Sequence, residues 1–328
     1  MVRVGVVGAS GLVGRNIVSI LEERKFPIKE LRLFASGKSR GKEIFFNDEV
    51  IRIEELNETV FESGLDLMFF AAGSEVSKNY IPRLMDRGII CIDNSSYFRM
   101  REDVGLVVPE VNPEDVNLNK TLIANPNCST IQSVVALKPI YDNFGIERII
   151  YSTYQAVSGS GQKGLNDLDK GRNDFYPYPI KNNVIPHIDE FLENGYTKEE
   201  MKMIDETKKI FHDDNLKITA TTARVPVRFG HSISINVELK SNFDLEKIRS
   251  FLNQSNGIKV FDDVKNNQYP MPIIAQGKDE VFVGRIRRDL SIENGLNIWV
   301  VADNIRKGAA TNAIQIAEVL LKEGVISW

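Results

Sequence analysis

The start of the chain constrains its fold more than any other stretch. Residues 2–7, V-R-V-G-V-V, form a short apolar run, and G-A-S-G-L-V-G follows at 8–14. A run of that kind suits a parallel strand covered on both faces. Beyond it, to about Lys25, Val13, Ile17, Ile20 and Leu21 recur at helical spacing. Pro27 closes this unit, and E-L-R-L-F-A-S at 30–36 reads as a second strand. Strand, glycine turn, helix and strand make a βαβ unit. Gly8, Gly11 and Gly14 let the backbone turn tightly and bring a helix N-terminus against a pyrophosphate. The spacing is G-x-x-G-x-x-G rather than G-x-G-x-x-G, so the loop alone identifies no one cofactor.

Further strands are predicted at 65–72, 88–93, 105–108 and 121–124, with a helix over 75–87. This alternation predicts an α/β domain of the Rossmann type, a doubly wound parallel sheet. The texture changes near residues 125–130. A β-rich run covers 149–157, and residues 165–197, rich in Asn, Asp, Tyr and Pro, read as a long irregular connection. A polar helix over 198–211 precedes strands at 218–226 and 231–239. In the second of these, Ile233, Ile235, Val237 and Leu239 alternate with polar residues. Such alternation predicts an antiparallel sheet with one covered face. A strand at 296–302 leads into a helix over 308–323 that returns to the first domain. The expected organisation is therefore residues 1–127 plus 303–328 as one domain, and 128–302 as an α+β domain with a mainly antiparallel sheet.

With 41 Lys and Arg against 45 Asp and Glu, the formal net charge is −4. No global basic field exists for nucleic acid or an anionic membrane, so any anion site is local. No apolar run approaches membrane-spanning length. The two cysteines, Cys91 and Cys128, form no disulfide framework and fit a reducing compartment. The N-terminus enters a strand without the pattern of a secretory signal, so a cytoplasmic location is expected.

Cys128 lies in N-P-N-C-S-T, with Asn127 as a good N-cap and a helical run after it. A thiol in the first helical turn faces unpaired N–H groups and the positive end of the macrodipole. Both favour the thiolate, which lowers the thiol pKa and raises nucleophilicity. A buried structural cysteine is the competing reading, and it is the expectation for Cys91 in the strand G-I-I-C-I-D. At the end of the second strand, an NAD-selective site usually places Asp or Glu for the ribose 2′-hydroxyl. The segment A-S-G-K-S-R-G-K at 35–42 has none. Ser36, Lys38, Ser39 and Arg40 suit a 2′-phosphate instead, so NADP is expected over NAD. A thiolate and NADP together point to aldehyde oxidation through a thioester, with a base to manage protons. Of three histidines, His212 ends a polar helix and His187 sits in the irregular connection. His231, after Gly230 and at a strand start, ranks first as the base.

At this point several motifs occur together: G-A-S-G-L-V-G, S-S-Y-F-R-M at 95–100, N-P-N-C-S-T at 125–130 and Y-Q-A-V-S-G-S-G at 154–161. To these add E-E-M-K-M at 199–203, R-V-P-V-R-F-G-H at 224–231 and D-N-I-R-K-G-A-A-T-N at 303–312. In this order the chain resembles the bacterial aspartate-β-semialdehyde dehydrogenases over nearly its whole length. The resemblance implies Cys128 as the nucleophile, His231 as the acid/base and Gln155 as the residue that orients substrate. It implies Arg224 as the clamp on the substrate carboxylate, Glu199 as the partner of its ammonium, and Arg99 and Lys202 as the phosphate site. Gly8 together with Ser10, Gly11, Leu12 and Val13, Ser36, Lys38, Ser39, Ser158, Gly159 and Asn304 fall where the family holds NADP. No metal is implied. The implied partners are a small-molecule substrate, inorganic phosphate and a second copy of the chain, as a homodimer or a dimer of dimers. The implied reaction is reversible NADPH-dependent reductive dephosphorylation of L-aspartyl 4-phosphate, in lysine, methionine and threonine biosynthesis. N-acetyl-γ-glutamyl-phosphate reductase, with the same chemistry on an acetylated substrate, and a non-catalytic NADP-sensing module are the alternatives. Taken as residues only, Glu199 and Lys202 also fit an exposed i, i+3 ion pair. Arg228, three residues before His231, either depresses the histidine's pKa, points into solvent or touches the cofactor.

Overall fold

The computed structural model describes residues 1–326. Two compact units divide between Pro126 and Asn127 and again between Gly308 and Ala309; the sequence pattern drew these boundaries at 127/128 and 302/303. Residues 327 and 328, assigned above to the first domain, lie outside the described residues.

The N-terminal unit runs β1 (Val2–Val7), α1 (Leu12–Glu23), β2 (Ile28–Ala35), β3 (Glu43–Phe46), β4 (Glu49–Arg52), β5 (Glu54–Glu55), β6 (Leu67–Phe70), α2 (Ser74–Met85), β7 (Ile90–Asp93), β8 (Gly105–Leu106) and β9 (Leu122–Ala124). Seven strands in the order β5-β2-β1-β6-β7-β9-β8 form one sheet, and every pairing is parallel. Leu67, Met68, Phe69 and Phe70 are all fully buried, as a strand covered on both faces requires. Since β1 pairs with β2 on one side and β6 on the other, the connection after it leaves the sheet where the winding reverses. In open α/β sheets ligands bind at that crevice. The β3–β4 hairpin was not anticipated. Its turn places both Asn47 and Asp48 at positive φ, the requirement of a tight primed turn.

The C-terminal unit contains α3 (Cys128–Phe144), β10 (Ile146–Gln155), α4 (Gly161–Lys170), α5 (Lys198–Phe211), β11 (Lys217–Arg224), β12 (His231–Leu239), α6 (Leu245–Gln254), β13 (Ile258–Val260), α7 (Pro272–Ala275), β14 (Val281–Arg288) and β15 (Gly295–Ala302). Its six-stranded sheet has the order β11-β10-β12-β15-β14-β13. The central pairings are antiparallel, while β10–β11 and β13–β14 are parallel, so the sheet is mixed and mainly antiparallel. Helix α3 is buried on nearly every side from Ser129 to Leu137, where Ile131, Val134, Val135, Ala136 and Leu137 pack beside the buried polar residues Ser129, Thr130, Gln132 and Ser133. It continues past Lys138, through Pro139, and stops at Gly145, whose φ of 64° an L side chain rarely adopts. A π-helical turn at Arg306–Ala310 precedes α8 (Thr311–Lys322), whose Ala313, Ile314, Ala317 and Leu320 join Ile17 and Leu21 of α1 in the first unit's core.

One expectation needs correction. The connection predicted as irregular over 165–197 begins inside α4, where Leu165 is the only large apolar residue fully buried. Polar composition hid the helix; the Asp167 carboxylate then accepts the backbone N–H groups of Asp174, Phe175 and Tyr176 and pins the chain that follows.

Candidate active site

In the N-terminal unit, Gly8 has a φ of 86°, and a Cβ there would lie 2.4 Å from the Ala71 carbonyl oxygen. A Cβ on Gly14 would lie 2.2 Å from the Gly8 oxygen, so the third glycine lets α1 sit on the turn. Gly11 is the N-cap of α1. It has no side chain to cap the helix, and no acid occupies the first turn. The N–H groups around Leu12 and Val13, beside Ser10, therefore suit an external anion. Ser36, Lys38 and Ser39 lie in the short turn after β2, with Ser36 and Lys38 exposed and Ser39 buried. A carboxylate does reach this turn. Glu55, from β5, lies where a Cβ on Gly37 would be 2.7 Å from its Oε1, and it is 3.9 Å from Arg40. Local sequence could not reveal it, because β5 pairs with β2 from twenty residues away. Arg99 is nearly buried, its Nε and Nη2 donating to the carbonyls of Asn125 and Asn94 at 2.9 and 2.8 Å.

In the C-terminal unit, Cys128 is the first residue of α3. The Asn127 side-chain oxygen accepts from Ser129 and Thr130 N–H at 2.9 and 3.3 Å, the N-cap arrangement expected from the sequence. The Asn127 amide in turn donates to Glu199 Oε1 at 2.9 Å, and Gln155 Nε2 donates to the same oxygen at 3.1 Å. Lys202 Nζ lies 3.3 Å from Glu199 Oε2 and 2.6 Å from Asp189 Oδ2. The i, i+3 pair on α5 exists, but its acid is buried and belongs to a network reaching Asn127, the residue before Cys128. Burial alone would push the Glu199 carboxyl up. Lys202, the Asn127 and Gln155 donors and the Arg224 charge outweigh it and hold the group below the usual carboxylate range.

Gly159 organises the other half. A Cβ there would lie 2.9 Å from Arg224 Nη1 and 3.4 Å from both Cε1 and Nε2 of His231, so the absence of a side chain leaves room between guanidinium and imidazole. Arg224 Nη1 donates to the Ala156 carbonyl at 2.7 Å. Asn304 and Ser158 bond to each other, and Asn304 Oδ1 accepts Gly230 N–H at 2.9 Å, fixing the residue that enters His231. His231 is fully buried, and its Nδ1 accepts the backbone N–H of Ala156 at 3.0 Å. The neutral ring therefore carries its proton on Nε2. Burial, then the Arg224 charge, push its pKa well below the ordinary histidine value. Arg228 is not that charge: it is exposed and paired with Asp169 of α4. Among the described residues, His231 Nε2 and Arg224 Nε are the only buried side-chain nitrogens without a partner. Two orphaned buried donors on neighbouring residues of the same unit suit the acceptor oxygens of a ligand.

The remaining histidines and Cys91 stand elsewhere. His187 stacks on Phe191, and exposed His212 caps α5 in the left-handed region. Cys91 is fully buried in β7, where desolvation pushes its thiol far up, as an inert core cysteine requires. Besides Glu55, two residues were missed. Gln132, one turn beyond Cys128, donates to the His231 carbonyl at 3.1 Å and ties the helix of Cys128 to the strand of His231. Glu206, 1% exposed, accepts the Asn127 backbone N–H at 2.7 Å. Its signal was legible: Glu199, Met203, Glu206 and Ile210 share one helical stripe, and a carboxylate has no reason to lie in such a stripe unless it is paired.

Comparison with known proteins agrees with this geometry. Residues 3–119 match the semialdehyde dehydrogenase NAD binding domain, and 137–307 the semialdehyde dehydrogenase dimerisation domain. The chain is 53% identical to the aspartate-semialdehyde dehydrogenase of Aquifex aeolicus, over 99% of each chain. A crystal structure of aspartate semialdehyde dehydrogenase II from Vibrio cholerae complexed with ASA is 45% identical. It superposes with a TM-score of 0.96, covering 98% of this chain and 99% of that one. The Candida albicans enzyme with NADP is 25% identical at a TM-score of 0.80, covering 99% of this chain and all of the other. Across both units, then, this chain belongs to the aspartate-semialdehyde dehydrogenase family.

Proposed function

We infer that the chain catalyses reversible, NADPH-dependent reductive dephosphorylation of L-aspartyl 4-phosphate to L-aspartate 4-semialdehyde through a thioester on Cys128. The observation that carries this reading is the pair of orphaned buried donors, His231 Nε2 and Arg224 Nε, in the unit whose nuclear helix begins at Cys128. Arg224 suits the substrate α-carboxylate, since a guanidinium grips a carboxylate through two parallel N–H groups. Ionised Glu199 suits a free ammonium, which the acetylated substrate of N-acetyl-γ-glutamyl-phosphate reductase lacks. Lys202 and Arg99 are the proposed phosphate cations, and Gln155 orients the substrate beside the thiol.

In the synthetic direction the Cys128 thiolate attacks the acyl carbon and the C–O bond to phosphate breaks. When bound, NADPH supplies the hydride that turns the thioester carbon into a thiohemiacetal. The carbon–sulfur bond then breaks, Cys128 recovers its electron pair as thiolate, and the aldehyde leaves. His231 Nε2–H donates to the oxygen as charge builds on it, an oxyanion-hole contribution in a water-poor site. For the cofactor, the uncapped α1 N-terminus fits a pyrophosphate. Ser36, Lys38 and Ser39 favour a 2′-phosphate, with Glu55 drawn toward Arg40. The NADP in the Candida albicans structure supports the same choice. The dimerisation-domain match supports a homodimer.

The test is phosphate-dependent NADP reduction with the semialdehyde. Cys128→Ser should lower turnover by at least about 10³-fold while NADP affinity stays unchanged. Substantial activity in that variant would exclude the covalent route.

A further inference from the structure

We propose that Glu206 is a positioning residue for Cys128, acting through the Asn127 N-cap; this deepens the reading of Cys128 as nucleophile. A capping box places Glu or Gln at the third helical position, where it accepts the N–H of the N-cap residue. In α3 that position is Thr130, whose hydroxyl is buried without a partner. The Asn127 N–H would therefore be orphaned within a nearly buried residue. Glu206 accepts it at 2.7 Å from a different helix. Seven residues earlier on α5, Glu199 takes the Asn127 side-chain amide at 2.9 Å. Two carboxylates, two helical turns apart on one face, thus hold Asn127 by its backbone and its side chain. The Asn127 oxygen is left to cap Ser129 and Thr130.

The consequence falls on the next residue. Cys128 draws its reactivity from the N–H groups of the first turn, and their direction depends on where Asn127 sits. Gly308 also approaches the Cys128 backbone closely, since a Cβ on it would meet Cys128 Cβ at 2.9 Å and Cα at 3.4 Å. Helix α5 therefore carries both the proposed substrate contacts, Glu199 and Lys202, and the brace that sets the attacking sulfur. What matters is the reach of the Glu206 acceptor rather than its charge.

Two conservative variants separate reach from charge. Glu206→Gln keeps the length and an acceptor oxygen but loses the charge. Glu206→Asp keeps the charge but falls one methylene short. Both are measured in the full chain for kcat, KM, thermal midpoint and the pH dependence of Cys128 alkylation by iodoacetamide. Glu206→Asp should lower kcat by about tenfold or more, as expected when a reacting atom shifts by a fraction of an ångström. Its KM for NADP should be unchanged and its alkylation profile should move to higher pH. Glu206→Gln should stay within about threefold of the parent in both readouts. A folded Glu206→Asp protein with the parental alkylation profile overturns the proposal. So does a reversed order, with Gln impaired and Asp normal, which would mean that charge alone matters. Alkylation needs no turnover, so a parent inactive on the semialdehyde would remove the proposed function and still leave the positioning test standing.

Discussion

The proton state of His231 has a consequence for stability that can be measured without substrate. In the unfolded chain this imidazole titrates near pH 6.5. In the folded chain burial, and then Arg224, hold its pKa well below that value. The Ala156 N–H at 3.0 Å from Nδ1 adds a geometric reason, since a protonated Nδ1 would face another donor. Below about pH 6.5 the unfolded chain takes up a proton that the folded chain refuses, so this contribution to stability is full above that pH and lost as the pH falls. Proton uptake by the unfolded chain sets an upper limit to the loss between pH 8 and pH 5.5 of RT ln(1 + 10), about 1.4 kcal/mol. The perturbation is His231→Gln, which removes the titrating group. Urea unfolding of both proteins at pH 8 and pH 5.5 gives a double difference in which the carboxylates and the other two histidines cancel. The parent should lose more stability than the variant on acidification, by up to about 1.4 kcal/mol. An equal loss in both proteins, or a larger one in the variant, would refute the neutral, buried imidazole and the role built on it.

Two further outcomes follow from close contacts and from charge. Gly308→Ala places a Cβ 2.9 Å from Cys128 Cβ, whereas carbon pairs rest near about 3.5–4.0 Å. The helix start must yield, at about 1–3 kcal/mol of stability and about 10–100-fold in kcat, read from thermal midpoints and steady-state rates; an unchanged kcat would mean the thiol needs no such exact seat. Lys38→Ala should raise the KM for NADP about tenfold and leave that for NAD unchanged, with weaker salt dependence; equal effects on both cofactors would remove Lys38 from the 2′-phosphate.

The fold was legible where periodicity and burial coincide. β1, β6 and β7 are apolar because both faces are covered, and β12 alternates because one face is. Residues 240–295 gave no assignment, yet they hold α6, β13, α7 and β14. Strand β14 reads V-F-V-G-R-I-R-R; its pairing shifts between Gly284 and Arg287, and Arg285 stands at a φ of 51°. A bulge breaks the period of two on which a strand prediction depends. α6 buries only Ile248 and Leu252, and β13 is a three-residue edge. The site follows the same division. Cys128, Asn127 and His231 announce themselves by local motifs. Glu55, Gln132 and Glu206 act across elements, and their partners are set by sheet order and helix packing rather than by neighbours in sequence.

Glu199 shows how such cross-element contacts bear on substrate binding. It is the proposed partner of the substrate ammonium, yet its oxygens already take Asn127, Gln155 and Lys202. On the proposed function, binding would therefore be an exchange. Asn127 and Gln155 both use Oε1 and also stand at the start of α3 and the end of β10, so their departure would disturb the surroundings of Cys128. Lys202 uses Oε2 at 3.3 Å and has a closer second partner, Asp189, at 2.6 Å. An ammonium arriving at Oε2 displaces the weaker contact, and Lys202 keeps Asp189 while turning its remaining donors toward an anion. On that reading one oxygen of this carboxylate serves the architecture and the other the substrate. Before substrate arrives, the lysine charge is the largest of the contributions that offset the desolvation of this buried acid, ahead of the Asn127 and Gln155 donors and Arg224.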